Sequence, residues 1–214
     1  MQVLLCAATE MEIAPTIQAL SLKEGHSVEF LITGVGLTAC TYALTKEVVT
    51  KRPDAIIQAG VAGSMQLDQP LAQVVAVKSE TIGDLGVKEG GFLSLFDLKL
   101  LSPNTQPWQE GKLTNPSEIL QTAGLPLVDG VTVNEISTSD ERIDYYRDQL
   151  NAQVESMEGA ALHYIGLMEK IPFLQVRSLS NFIGERDKNK WMMKESITKL
   201  NQTIQRILTK LEAL

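Results

Sequence analysis

Two cysteines and two histidines are all that this chain of 214 residues holds for metal or disulfide chemistry, and neither type is spaced to complete a zinc site. Cys6 sits in an apolar, strand-like run and Cys40 in a helical pattern, so both read as reduced packing residues. Clusters of lysine or arginine are also missing. With a formal charge of −7, the chain has no positive field for nucleic acid or an anionic membrane, and small neutral or zwitterionic partners fit it better. No apolar stretch approaches the length of a membrane span, and the opening MQVLLCAATEMEI lacks a basic leader, which gives a cytoplasmic expectation. Internal repeats, low-complexity tracts and linkers are absent as well. The expectation is one domain over residues 1–214, with 44% hydrophobic residues to build its core.

What is present is alternation. Val3 to Ala7 reads as a buried strand, Met11 to Leu20 as a helix, Val28 to Ile32 as a strand and Thr38 to Lys51 as an amphipathic helix. Strands follow at Ala55 to Gln58 and Val74 to Val77. Thr81 to Asn115 then loses periodicity and gathers Gly, Pro and Asn, as expected of a functional excursion capping a site or a subunit interface. The pattern resumes with a strand at Val131 to Val133, a helix from about Ser139 to Leu150, and a strand ending near Glu155. A helix from Gly159 to Glu169, a strand from Phe173 to Arg177 and a helix from Trp191 to about Leu211 complete it. Parallel strands can be joined only by crossovers, so the fold class is α/β, a mostly parallel twisted sheet flanked by helices.

Ligands of open α/β sheets collect at the carboxyl ends of strands, which draws attention to the polar groups there. Glu158 and Asn181 each follow an apolar run. Gly34-Val35-Gly36 lacks the third glycine of a dinucleotide fingerprint, and the next strand carries Gln58-Ala59 where an acid should hold the ribose; a tight turn explains it better. Gly60-Val61-Ala62-Gly63 has small residues that let backbone approach a ligand, or simply turn the chain.

Five segments in order, Ala8-Thr9-Glu10-Met11-Glu12, Thr33 to Gly36, Gln58 to Gly63, Val154 to Ala161 and Val176 to Asn181, resemble the purine nucleoside phosphorylase and nucleosidase superfamily. Glu155-Ser156-Met157-Glu158-Gly159-Ala160-Ala161, Ser180-Asn181 and Gly83-Asp84-Leu85-Gly86 are most similar to its futalosine hydrolase branch, which serves the alternative menaquinone pathway. The resemblance implies hydrolysis of futalosine to hypoxanthine and its dehypoxanthine product, without metal or organic cofactor. It also implies a homo-oligomer.

Cleaving an N-glycosidic bond passes through an oxocarbenium-like ribosyl cation, so a site needs a water base, a ribose clamp and stabilisation of the departing purine. By resemblance, Glu12 is the water-activating base, although an acid also suits a helix N-terminus. Glu158 would take the ribose 2′ and 3′ hydroxyls, as a carboxylate can accept a vicinal diol with two oxygens; helix capping is its alternative. Met157 would lie beneath the sugar or simply pack, Val61 and Ile136 would line the pocket, and Glu155 is a weaker candidate. Where adenine-cleaving relatives carry aspartate, this chain has Asn181. Its NH₂ matches the O6 and N7 acceptors of a 6-oxopurine. A turn role is the alternative.

Two other activities compete. A phosphorylase needs cations for phosphate, yet the first half of the chain has only Arg52, while Glu10 and Glu12 would repel the anion. A methylthioadenosine or adenosylhomocysteine nucleosidase remains the other alternative. Lys78, Lys88 and Arg177 are the cations considered for the substrate's 5′ tail. His26 and His163 pair with no nucleophile, and Trp108 and Trp191 are left without a role.

Overall fold

The short apolar runs pair as the alternation requires, around one central sheet. A computed structural model describes residues 1–22 and 27–212, so His26 lies outside the described residues. In chain order the elements are β1 (Val3–Ala7), α1 (Glu10–Ser21), β2 (Val28–Ile32), α2 (Leu37–Lys51), β3 (Ala55–Ser64) and β4 (Val74–Ile82). The excursion holds β5 (Gly86–Lys88), β6 (Phe92–Ser94) and β7 (Leu113–Thr114). Next come α3 (Ile119–Thr122), β8 (Leu127–Thr132), α4 (Asp140–Asp144), β9 (Val154–Ser156), α5 (Gly159–Glu169), β10 (Phe173–Phe182) and α6 (Met193–Glu212).

The main sheet runs β2-β1-β3-β9-β8-β4-β10, and β10 also pairs with β3. Five strands, β3, β9, β8, β4 and β10, therefore close on themselves, with β1 and β2 extending from β3. Pairings β1 with β2 and β3, β3 with β10, and β8 with β4 and β9 are parallel; β10 with β4, β3 with β9 and β4 with β7 are antiparallel. The sheet is mixed and mostly parallel.

Two apolar layers sandwich it. On one side Leu5, Ile57, Leu174 and Val176 meet Leu200, Ile204, Ile207 and Leu211 of α6, spaced by three or four so that one helix stripe faces the sheet. On the other, Leu4, Cys6 and Ile56 meet Leu44 and Val48 of α2 and Leu162 and Ile165 of α5. Cys6 and Cys40 are free and buried; burial raises both thiols, Cys40 to about 11, which leaves them inert packing groups.

Several strands outrun the sequence expectation. β3 continues through Gly60-Val61-Ala62-Gly63 and β10 through Ser180-Asn181, because the two pair in parallel from Phe173↔Ile56 to Phe182↔Ser64, with a bulge between Leu179 and Asn181. Asn181 is thus a strand residue, not a turn residue. The helix expected from Ser139 to Leu150 breaks into α4 and a π-turn over Tyr145–Gln149. Trp108, Leu113 and Phe96 of the excursion pack against Ala160 and Leu167 of α5, where the chain gains apolar burial.

Candidate active site

A cavity of about 260 Å³ opens at the carboxyl ends of β1, β3, β9 and β10. Its lining includes Glu12, Val61, Ile136, Met157, Glu158 and Asn181, all six residues singled out in the sequence, together with Thr9, Glu155, Ser180, Arg186 and Trp191. No residue of the excursion lines it, so its expected capping role is not served here: packing on α5 holds that segment elsewhere. Glu10 is exposed and also outside the lining.

Glu12 is placed by the first turn of α1. Thr9, the N-cap, has extended backbone dihedrals, and its N–H and hydroxyl both donate to Glu12 Oε2 at 3.0 Å. The Val61 N–H donates to Oε1 at 3.1 Å. Helix-start chemistry and a cavity-lining carboxylate are therefore the same arrangement, since the reciprocal cap fixes the rotamer. Oε1 keeps acceptor capacity for a water. Behind it, Asn201 Nδ2 donates to the Glu12 carbonyl at 2.8 Å, while its Oδ1 accepts from the Thr16 N–H at 3.1 Å. α6 thereby grips α1 on both sides of Pro15.

Glu158 occupies the N-cap position of α5 yet makes no capping bond with its side chain. Other groups satisfy that helix end: Ser156 Oγ accepts from the Gly159 N–H at 3.3 Å and Thr132 Oγ1 from the Ala160 N–H at 2.8 Å. The carboxylate is released toward the cavity. Its Oε1 accepts from the Gly36 N–H at 2.9 Å, and its Oε2 lies 3.7 Å from Arg177 Nη1. Gly36 has φ +93°, a region that favours glycine, so the turn of the Gly34-Val35-Gly36 cluster also serves the site.

Arg177 is not a tail-binding cation: it is 1% exposed, beneath the two acids. In the register of β10 on β3 it lies opposite Gly60, where an added Cβ would come within 2.3 Å of Nη1 and 3.0 Å of Glu12 Oε1. Only a glycine admits the guanidinium there. Nη2 donates to Gln58 Oε1 at 2.6 Å and Nη1 to the Val61 carbonyl at 3.5 Å. A lone arginine inside Phe-Leu-Gln-Val-Arg-Ser-Leu-Ser was the available signal, since a buried charge requires partners.

Asn181 donates through Nδ2 to the Phe182 carbonyl at 3.0 Å and accepts at Oδ1 from the Ser180 hydroxyl at 2.8 Å. A carbonyl is acceptor-only, which fixes the amide nitrogen on that side and leaves its second N–H free for a ligand. Glu155, two strands away, accepts from the Ser137 N–H at 3.1 Å, and burial raises its carboxyl above the usual range. Deeper still, Glu80 accepts from Gln175 Nε2 at 2.8 Å and from Thr132 Oγ1 at 3.0 Å, and burial pushes it up to about 7. Thr132 thus links this acid to the N-terminus of α5.

His163 is fully buried, with Nδ1 2.8 Å from the Leu113 carbonyl, and burial pulls it down to about 4. It packs. Lys78 pairs with Asp129 and Lys88 with Glu141, both away from the cavity lining, and Arg52 pairs with Glu169. Among the described residues no cluster of three or more His, Cys, Asp or Glu is placed to hold a metal, and no helix is long and apolar enough to cross a membrane.

Residues 16–212 match the Phosphorylase superfamily, and the chain belongs to it. Among characterised relatives, the futalosine hydrolase of Thermus thermophilus is 30% identical over 189 residues, covering 86% of this chain and 83% of that protein. A 5′-methylthioadenosine/S-adenosylhomocysteine nucleosidase of Tolumonas auensis is 25% identical, covering 75% and 70%. Among solved structures, a mutant futalosine hydrolase of Helicobacter pylori superposes with a TM-score of 0.76 at 18% identity, covering 100% of this chain and 99% of that one. The adenine complex of a methylthioadenosine/adenosylhomocysteine nucleosidase from Colwellia psychrerythraea gives 0.79 at 18%, covering 99% and 96%. The class these relatives define is the nucleosidase, a hydrolase of N-glycosidic bonds.

Proposed function

We propose that the cavity hydrolyses the N-glycosidic bond of a 6-oxopurine nucleoside, with futalosine as substrate, releasing hypoxanthine. The observation that carries this reading is the amide of Asn181: with one N–H on the Phe182 carbonyl it keeps one for a single acceptor, O6 or N7 of hypoxanthine, while its Oδ1 already takes the Ser180 hydroxyl and so is a poor partner for an amino donor. Adenine carries such a donor in place of O6. The curated futalosine hydrolases support the same choice.

In this mechanism Glu12 Oε1 takes a proton from the attacking water as the C1′–N9 bond breaks. Glu158 receives the ribose diol, and its negative charge stabilises the cation as positive charge develops on the ring. Met157 and Val61 frame the sugar, and Ile136 lies against the base. Asn181 donates to the departing purine but cannot protonate it, so the anion is stabilised by hydrogen bonding and takes its proton from solvent. Arg177 offsets the buried charge of Glu158 from beneath, leaving the cavity face of that carboxylate to the diol.

Purified protein mixed with futalosine in phosphate-free buffer is expected to release hypoxanthine, followed by absorbance or chromatography. Strict dependence on phosphate would instead assign a phosphorylase. Adenine release from methylthioadenosine or adenosylhomocysteine at a much higher rate would assign the other nucleosidase activity.

A further inference from the structure

The cavity lining is acidic at depth, with Glu12, Glu155 and Glu158, and among the described residues its one cation is Arg186 at the mouth. Arg186 follows β10 in a loop that is tied to itself. Glu185 accepts from Lys190 Nζ at 2.6 Å and from the Asp187 N–H at 2.8 Å, and Asp187 accepts from the Asn189 N–H at 3.0 Å. Both acids that flank Arg186 are therefore engaged by other donors. Among the described residues the guanidinium has no ion pair; it stacks on the Trp191 ring, 5.8 Å from its centroid. The indole is itself fixed, because its Nε1 donates to the Glu185 carbonyl at 3.1 Å, and the Met192 N–H donates to the Ser180 carbonyl at 2.8 Å, pinning the loop to β10.

From this placement we infer that Arg186 is the specificity-determining residue for a carboxylate carried on the 5′ substituent of the nucleoside. The inference rests on the reading above, which commits the diol to Glu158 and the base to Asn181. A ribose so held has only its 5′ carbon left to extend, and the open direction is the mouth, rimmed by exposed Met11, Val35, Ile136 and Arg186. An anion arriving there meets three carboxylates below, so it needs a compensating cation. Arg186 offers a planar pair of N–H donors, the geometry that takes a carboxylate bidentately. Futalosine carries such an aromatic carboxylate beyond its 5′ carbon; inosine does not.

Steady-state hydrolysis of futalosine, its methyl ester and inosine, by the wild-type chain and by Arg186→Gln, tests this. The wild type is expected to favour the acid over the ester. Arg186→Gln should raise the KM for the acid about tenfold with kcat little changed, and leave the ester and inosine within about twofold. Arg186→Lys should recover part of the loss, and added salt should shrink the preference for the acid. An unchanged ratio of acid to ester in Arg186→Gln, or an equal loss on all three substrates, would overturn the assignment, the second outcome showing a merely structural loop. If the wild type releases adenine in preference to hypoxanthine, the reading of the base fails. The same comparison of acid and ester on an adenine-bearing pair then tests Arg186 by itself.

Discussion

Met11 and Glu12 are neighbours on one helical turn, yet Met11 is 60% exposed and Glu12 6%. They mark the two ends of the cavity. At the inner end each carboxylate of the lining is held by a backbone N–H, of Thr9 and Gly36 at the starts of α1 and α2, of Val61 in β3 or of Ser137 in the loop after β8. At the mouth, Arg186 and Trp191 sit on a loop whose bonds are mostly to itself. A site divided this way keeps the bond-breaking geometry fixed in the fold, where preorganisation counts, and puts the choice of substrate tail on the part most tolerant of change.

The strongest way to break that comparison is at Arg177, whose removal should damage both stability and activity. Arg177→Met leaves Glu158 without its buried cation and Gln58 Oε1 without its donor, so a loss of about 3 kcal/mol in stability is expected, read by urea denaturation. A midpoint within error of wild type would mean that the inner end does not depend on this guanidinium.

Glu12→Gln should come next. The amide oxygen can still accept from the Thr9 N–H and hydroxyl, so the cap should survive, but the NH₂ then faces the Val61 N–H; a loss of about 1–2 kcal/mol in stability is expected, while the rate falls by roughly 10² or more. Unchanged kcat would remove Glu12 from proton transfer and leave it a helix cap.

A smaller, directional effect is expected at Asn181. Asn181→Asp trades a donor for a group that, when protonated, can serve N7 of adenine. The ratio of kcat/KM for hypoxanthine over adenine nucleosides should fall by on the order of tenfold. If the ratio holds, the base is read elsewhere in the cavity.

Much of this site is legible in the amino-acid sequence, because strand ends and helix starts are written locally. Thr9 to Glu12 is a capping sequence, and Glu158 sits at the junction of an apolar run and a helix. What the sequence hides are contacts between strands distant along the chain. Arg177 looks like a free cation until β10 is registered on β3, where Gly60 makes its room. Gly36 looks like a turn until its N–H is found on Glu158. Glu80 carries no local signal at all, and its surroundings, Gly130 and Gly159, are glycines whose added Cβ atoms would fall within 2.7 and 2.0 Å of its carboxylate oxygen. Small residues that look like gaps in a pattern are spaces reserved for polar side chains arriving from elsewhere. The strands β3 and β10 read short in the sequence for the same reason, since Gly, Ala, Ser and Asn lower β-propensity while pairing overrides it.

Glu80 should have the smallest effect on activity, and it gives the finest test of how rigid the inner end is. It faces Gln175, Thr132 and the charges of Arg177 and Glu158, and burial raises its carboxyl from the ordinary range to about 7. A raised carboxyl binds its proton more tightly in the fold than in the unfolded chain. Its contribution is therefore complete below about pH 4.5 and is lost as pH rises toward 7, above which both states are ionised and the slope ends. Glu80→Gln removes this dependence. Between about pH 4.5 and about pH 8 the stability of the variant relative to wild type should improve by up to about 3 kcal/mol, several degrees in Tm. Parallel stability curves for the two proteins across that window would show that the acid is as easily ionised in the fold as in water. The polar link from Glu80 through Thr132 to the start of α5 would then have to be wet rather than sealed.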